Sequence, residues 1–374
     1  MLKIAIVGCG KIADSHASQI RRIAGCEIAG VCDSEPLMAK QLCARFPVKR
    51  YFSDLDELLN EVRPDVVHIT TPPQTHYEIG RKCLEKGCHI FVEKPLTLDT
   101  AEAEKLIALA TQTSRKLTAG HDAQFSDVAI RLRKMVLEGY LGGTPVHLES
   151  TWCYELGDPV YAKALLGDKQ HWARTLPGGL LHNIINHGIA KIAEFLAGDS
   201  PQVIADGFVS PFLQGLGENK IVDELRAIIR DERGTTAYFT FSTQIRPSLH
   251  QFFIYGPKNG LLLDEDQRIL VKLPGDRYKS YAEHFIPPVA QAGQYFGNFV
   301  HNAGLFLAKD AHMDAPKKRL FESFYRSITD DTPLPIPYRE ILLTSRIMDA
   351  IFEQINTRQK DSQNSIQRYI EQAD

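Results

Sequence analysis

No apolar run in the sequence approaches the 18 or so residues that a membrane-spanning helix requires. Its first residues, MLKIAIVGCG, reach a glycine turn after too short an apolar core for a secretory signal. A cytoplasmic protein with no membrane partner is therefore expected. Charge of one sign is lacking too, since 43 basic and 46 acidic residues leave a formal net charge of -3. No basic cluster is interleaved with aromatics, which argues against a nucleic-acid partner. The seven cysteines are odd in number and form no CxxC pair, so neither a disulfide framework nor a zinc site is expected. Internal repeats and low-complexity segments are absent. What remains is 374 residues of ordinary globular composition, 44% apolar, long enough for two or three domains.

The first third alternates strand and helix. Leu2 to Val7 reads as a short strand, Gly8-Cys9-Gly10-Lys11-Ile12-Ala13 follows at once, and Ser15 to Ile23 has helical spacing. In this G-x-G-x-x-A pattern Gly8 permits a tight turn, Gly10 lets backbone approach a pyrophosphate, and Ala13 lets the helix pack close to the strand. A second strand, Glu27 to Cys32, ends in Asp33, twenty residues past Ala13, where an acid grips a ribose 2′-hydroxyl. A turn or helix-cap role is the alternative for Asp33. Neither Ser34 nor Glu35 would neutralise a 2′-phosphate, which favours NAD(H) over NADP(H), although Arg45 or Arg50 is near enough in sequence to reach in.

Helices follow at Met38 to Phe46 and Asp54 to Asn60, then a strand at Asp65 to Ile69 running into Thr71-Pro72-Pro73-Gln74-Thr75-His76. The two prolines fix a loop at a strand end, and Thr75 caps a helix through Glu85. The next strand, His89-Ile90-Phe91-Val92, stops at Glu93-Lys94-Pro95. Proline forces Lys94 out of helical geometry at the carboxyl end of a buried strand, where ligands of open α/β sheets bind. A solvated turn lysine is the plain alternative. A helix from Thr100 to Thr113 and a strand from Lys116 to Ala119 complete a six-stranded dinucleotide-binding domain. Its candidate cofactor contacts are Gly8, Gly10, Lys11, Ile12, Ala13, Asp33, Ser34, Thr71, Pro72, His76, Glu93 and Lys94.

A connecting helix, Phe125 to Gly139, precedes a change to alternating pattern. Val146 to Tyr154, Val203 to Val209, Ile221 to Arg230, Thr235 to Thr243, Gln251 to Tyr255, Gly260 to Asp264 and Arg268 to Leu273 read as a largely antiparallel sheet. Helices are expected at Val289 to Leu307, Lys317 to Thr329 and Arg339 to Ile355, with a frayed polar tail from Thr357. The boundaries are thus 1–122 for the α/β Rossmann domain and 123–374 for an α+β substrate domain, whose last helices are free to pack on the first. Gly178-Gly179 opens a segment carrying Asn183 and His187, four apart and so on one helix face. Histidine is the side chain most easily tuned for proton transfer near neutral pH. His182 and His187 have no third ligand near, so no metal is assigned.

Together the G-x-G-x-x-A loop, Asp33, the Thr71 to His76 run, Glu93-Lys94-Pro95 and Gly178-Gly179…His187 resemble the glucose-fructose oxidoreductase and inositol dehydrogenase (Gfo/Idh/MocA) family. The resemblance implies a Rossmann domain, then an open antiparallel sheet often used for homo-oligomer contact, in a dimer or tetramer. It implies NAD(P)-dependent redox chemistry on a hydroxyl or keto group of a sugar, cyclitol or nucleotide sugar. By that resemblance Lys94 would be the catalytic lysine and His187 the catalytic histidine, with a cis Lys94-Pro95 bond. Asn183 stands where most of these dehydrogenases carry Asp, and an amide only orients or hydrogen-bonds. Losing that carboxylate removes a stabiliser of the Lys94 ammonium. Ala190 replaces another usual Asp, and His121-Asp122-Ala123-Gln124-Phe125 replaces Asn-x-Arg-Phe.

His121, Trp152, Tyr154, Trp172 and Arg174 are the candidate substrate contacts. Trp172 is suited to stacking on a sugar face and Arg174 to an anion. Core packing serves both tryptophans equally well, and a surface ion pair serves Arg174. An NAD-dependent glycosidase using transient redox, and a non-catalytic NAD-binding regulator, are the readings from other classes.

Overall fold

A computed structural model describes residues 1–156, 165–276, 278, 279, 281–308 and 312–371, with side chains as far as 358. The chain divides into two compact units, Met1–Asp127 with Asn302–Leu342, and Val128–His301 with Leu343–Asp374.

The first unit holds six parallel strands, β1 (Leu2–Val7), β2 (Cys26–Cys32), β3 (Tyr51–Phe52), β4 (Val66–Ile69), β5 (His89–Val92) and β6 (Leu117–Ala119). Their order in the sheet is β3-β2-β1-β4-β5-β6, so the direction of winding reverses between β1 and β4, the place where such sheets bind ligands. Every residue of β4 is buried, as expected for a strand covered on both faces. Helices α1 (Lys11–Ile20), α2 (Pro36–Arg45), α3 (Leu55–Val62), α4 (His76–Glu85) and α5 (Thr100–Gln112) connect the strands. Asp54 and Asp99 cap α3 and α5 by accepting from the N–H groups of Glu57 and Glu102. The alternation was legible in the sequence, except for the two-residue β3, which is too short to show a period.

The second unit holds α6 (Asp127–Leu137), β7 (His147–Cys153), α7 (Gly179–Ile184), α8 (Asn186–Phe195), β8 (Gln202–Phe208), α9 (Pro211–Gly215), β9 (Glu224–Arg230), β10 (Thr236–Ser242), β11 (His250–Tyr255), β12 (Asn259–Asp264) and β13 (Ile269–Pro274). All seven expected strands form, in the order β13-β12-β11-β7-β10-β9-β8. Five of the six pairings are antiparallel, and β7 with β10 is parallel. The stretch read as a strand from Ile221 begins only at Glu224. Alternation puts Ala205, Ala227 and Phe239 in the core and leaves Ile204, Ile228 and Tyr238 exposed on the other face.

Three helices follow, α10 (Ala282–Leu307), α11 (Ala315–Thr329) and α12 (Tyr338–Glu371). Leu320, Phe321, Phe324 and Tyr325 of α11 are buried in the core of the first unit, each burial worth about 1.5–3 kcal/mol. Leu343, Ile347, Ile351 and Phe352 of α12 join the core of the second. Where a frayed tail was expected from Thr357, the helix continues to Glu371. Polar composition hides a helix whose continuation needs no apolar face; residues 372–374 lie outside those described.

Gly188 of α8 sits against β7 and β10, and a Cβ there would lie 2.5 Å from Phe239 and 3.1 Å from the Ser150 hydroxyl. Gly188→Ala should lower the unfolding free energy by about 1–3 kcal/mol through overpacking, read as a lower urea midpoint at unchanged m-value. An unchanged midpoint would show that Phe239 yields freely.

Candidate active site

The loop after β1 is held from two sides. Gly8 has φ +93°, and a Cβ on it would lie 2.7 Å from the Thr71 nitrogen, so the Thr71 loop can close against it only if residue 8 is glycine. Thr70 Oγ1 donates to the Gly8 carbonyl at 2.6 Å. From β2, one Asp33 oxygen accepts from the Cys9 N–H at 2.7 Å and the other from the Glu35 N–H at 2.9 Å. The carboxylate thus shapes the loop and its own turn, with lone pairs left over, since ionised Asp offers about four acceptor sites. A Cβ on Gly10, the N-cap of α1, would meet nothing within 4 Å, and Ala13 is fully buried behind it. The two nearby cations are already paired, Arg45 with Asp14 and Arg50 with Glu61.

At the end of β5 a buried charge cluster surrounds Glu93. Its Oε1 accepts from His16 Nε2 of α1 at 2.7 Å, and Lys317 Nζ of α11 stands 3.8 Å away. Its Oε2 accepts from the Lys94 N–H at 3.2 Å. Lys317 also lies 3.9 Å from Asp122. Behind His16 the chain continues: its Nδ1 is 2.9 Å from His68 Nδ1, and His68 Nε2 is 2.8 Å from the Tyr325 hydroxyl. One set of neutral tautomers satisfies every link. Tyr325 O–H donates to His68 Nε2, His68 Nδ1–H to His16 Nδ1, and His16 Nε2–H to the Glu93 carboxylate.

Burial alone would raise the pKa of Glu93, but Lys317, the His16 hydrogen bond and Lys94 outweigh it and hold the carboxyl well below its usual range. Lys94 is half-buried at the strand end, and its peptide bond to Pro95 is cis. Burial lowers its pKa from the ordinary lysine value; Glu93 and Asp122 oppose that shift, and Lys317 adds to it. Asp122 is pushed up to about 6, by burial first. His121, the candidate substrate contact, is buried there too, and burial together with Lys94 brings it to about 4.

His76, at the start of α4, is buried. Nδ1 faces the Pro95 carbonyl at 2.9 Å and Nε2 the Thr71 carbonyl at 2.8 Å, so the ring clamps the Thr71 loop to the Lys94-Pro95 loop. Burial favours the neutral ring, which donates to one of the two carbonyls. Sequence reasoning singled out Glu93 and Lys94 but missed His16, His68, Lys317 and Tyr325. The one local signal was a histidine inside the otherwise apolar β4, Val66-Val67-His68-Ile69.

In the second unit the segment expected as one helix is α7 and α8, divided at Ile185, whose φ of -68° and ψ of -15° keep the path helical. Asn183 and His187 are both half-buried, with residues 184–186 between them buried. The His187 ring stacks on Trp152 of β7, centroids 5.2 Å apart and planes 21° from parallel. Trp152 also meets His250 edge-on at 4.5 Å. Tyr154 follows on the same strand end, its N–H bonded to the Ser242 carbonyl. Trp172 lies in a single 3₁₀ turn, half-buried beside His171. Arg174 donates to the Leu165 carbonyl at 2.8 Å and pairs with Glu218 at 2.9 Å. It also lines a cavity of about 320 Å³ with Lys169, Gly178, Gly179 and Lys220.

Residues 2–121 match the model of the GFO_IDH_MocA family, described as an oxidoreductase family with an NAD-binding Rossmann fold. The likeness in sequence to that family thus lies in the dinucleotide-binding part of the first unit. Among relatives, D-glucoside 3-dehydrogenase of Escherichia coli (strain K12) is 32% identical over 142 residues, 38% of this chain and 40% of that one. UDP-N-acetylglucosamine 3-dehydrogenase of Acidithiobacillus ferrooxidans is 33% identical over 40% of this chain and 44% of its own. The chain thus aligns with less than half the length of these two curated relatives. Myo-inositol 2-dehydrogenase of Thermotoga maritima aligns over 76% of this chain and 83% of its own at 22% identity. Solved structures show a likeness of fold along nearly the whole chain. An NAD binding oxidoreductase from Klebsiella pneumoniae has TM-score 0.77 at 20% identity, covering 96% of this chain and 97% of that one. The WlbA dehydrogenase of Bordetella pertussis, solved with NADH and UDP-GlcNAcA, has TM-score 0.76 at 14% identity, covering 95% and 96%.

The buried histidines predict that the first unit is acid-sensitive. His16, His68, His76 and His121 have folded pKa values below the unfolded value, so the stability they give is full above the unfolded value, about 6.5, and is lost as pH falls through the folded values. Glu93, also depressed, adds loss at lower pH, whereas Asp122, raised to about 6, opposes it. The melting temperature should be flat above about pH 7 and fall steadily from pH 6.5 to 4. A Tm flat across that range would contradict the neutral-tautomer chain.

Proposed function

We propose that this protein is a cytoplasmic NAD(H)-dependent oxidoreductase that interconverts a hydroxyl and a keto group on a sugar, cyclitol or nucleotide sugar. The observation that carries this reading is Lys94, half-buried at the end of β5 in the sheet whose β1 loop has dinucleotide-binding form. The named relatives support the substrate class, since two are sugar or nucleotide-sugar 3-dehydrogenases and one is an inositol dehydrogenase.

Gly8, Gly10, Lys11, Ile12 and Ala13 would hold the pyrophosphate at the N-terminus of α1, with Asp33 and Ser34 at the ribose and Thr71, Pro72 and Glu93 along the crevice. The fit rests on the open space beyond Gly10 and the spare lone pairs of Asp33. NAD(H) is favoured over NADP(H), because a 2′-phosphate would meet Asp33 and Glu35 while Arg45 and Arg50 are paired elsewhere. The bound dinucleotide supplies the hydride acceptor or donor.

Lys94 takes the hydroxyl proton as the alcohol is oxidised and returns it on reduction. Burial and Lys317 bring its neutral form within reach, while Glu93 keeps the ammonium from being lost altogether. His187 and Asn183 are assigned to the reacting oxygen, His187 with its ring fixed by stacking on Trp152. His121, Trp152, Tyr154 and Trp172 are assigned to the substrate. Arg174 reads better as the organiser of its own loop, given its carbonyl and Glu218 partners. The open face of the second sheet, with Ile204, Ile228 and Tyr238, is assigned to a homo-oligomer contact.

Two measurements test this. In thermal-shift titration, NAD and NADH should stabilise the protein at lower concentration than NADP and NADPH, and Asp33→Ala should erase the difference. Against the sugar or inositol that supports turnover, Lys94→Met should lower kcat about 10²- to 10⁴-fold, with dinucleotide affinity within a few-fold of wild type. Full turnover in Lys94→Met would overturn the assignment, and no stabilisation by any dinucleotide would overturn the cofactor reading.

A further inference from the structure

Helix α10 carries an apolar surface that nothing in the enzymatic reading uses. Its inner side is fixed to β13: Asn298 exchanges hydrogen bonds with the backbone of Leu270, and Gln294 with that of Lys272. The opposite side holds Phe285, Phe296, Phe299 and Phe306, each between 65% and 74% exposed, with Val289 at 73%. The order of these residues is regular. Ala282, Phe285, Val289, Ala292, Phe296, Phe299, Ala303 and Phe306 follow one another at alternating steps of three and four, the spacing of a coiled-coil seam.

We propose that this seam pairs with the same seam of a second copy of the chain, antiparallel about a twofold axis at the level of Gln294. That placement sets Ala282 against Phe306, Phe285 against Ala303, Val289 against Phe299 and Ala292 against Phe296. Three of the four kinds of layer join a phenylalanine to an alanine and the fourth joins it to a valine, so large side chains meet small ones throughout. A parallel pair would stack phenylalanine on phenylalanine and leave alanine facing alanine. The layers from Val289 to Phe299 lie beyond Pro287 and Pro288 and so on uninterrupted helix. Gly293 and Gly297, where a Cβ would meet nothing within 4 Å, flank the seam and let the helices approach closely.

Area and charge select the same occupant. With about 200 Å² per aromatic side chain, the exposed parts of the four phenylalanines with Val289, Val300 and Leu307 present on the order of 800 Å², what one partner contributes to a standard interface. Ala282 to Leu307 contains Glu283 and no Lys or Arg, whereas helices that lie on membranes carry basic residues on the polar side. Among the described residues no helix is long and apolar enough to cross a membrane. The contact is isologous and distinct from the open sheet face, so the two together would close a tetramer. It stands whether or not the protein turns over a sugar.

Sedimentation equilibrium of the full chain tests it. Phe296→Glu with Phe299→Glu should lower the mass by half, to dimer from tetramer or to monomer from dimer, with the thermal shift by NAD retained. Ile228→Glu, on the sheet face, should leave the α10 pair assembled. Register is read by oxidative cross-linking: Phe285→Cys mixed with Ala303→Cys should join, while either alone should not, since two copies of residue 285 would lie about 27 Å apart along the axis at 1.5 Å per residue. A monomeric wild type, an unchanged mass in the double variant, cross-linking of Phe285→Cys alone, or co-sedimentation of wild type with phosphatidylcholine vesicles that the double variant loses would each overturn the proposal.

Discussion

A carboxylate taken out of water must be compensated where it stands, and in the first unit that carboxylate is Glu93. Desolvating an ion costs several kcal/mol, recovered only with good geometry and donors on most of its lone pairs. Glu93 receives them from different parts of the chain: His16 from α1, the Lys94 N–H from its own strand end, and Lys317 from α11. Tyr325, about two turns of helix beyond Lys317, secures His68, and His68 secures His16. The segment that returns to the first unit after α10 is thereby tied to its sheet by charge as well as by Phe321 and Phe324. Removing any one donor leaves a buried charge or polar atom unmatched, a larger loss than the donor's own hydrogen bond.

The same cluster sets the charge around Lys94. Glu93 and Asp122 both favour its ammonium form. Lys317 balances them, so the environment is neither strongly anionic nor strongly cationic. Balance of that kind suits a group that must both take and give a proton.

What the sequence shows and what it hides follow from the range of each interaction. The glycine loop, Asp33 and Lys94 are legible because strand, turn and helix start are adjacent in the chain, and each residue type answers a local demand. The strands of the second sheet are legible because one face is buried, so period two is written into Val146 to Tyr154 and its partners. His16, His68, Lys317 and Tyr325 are not legible, since their contacts join residues 52, 77 and 257 positions apart. His76 shows the opposite limit: the sequence places it correctly at the start of α4 but cannot show that both ring nitrogens face carbonyls. Helix α10 was expected from its apolar content; that its apolar side faces away from its own unit appears only once Asn298 and Gln294 are seen to occupy the inner side.

The central claim is that Lys94 is a tuned acid/base held by a buried, ionised Glu93, and competitive labelling of lysines with acetic anhydride across pH, read by mass spectrometry, tests it most directly. Lys94 should titrate below the ordinary lysine value, and Glu93→Gln should lower it further, because Glu93 favours the ammonium form. A Lys94 that titrates like a surface lysine, in wild type and in Glu93→Gln alike, would contradict the account.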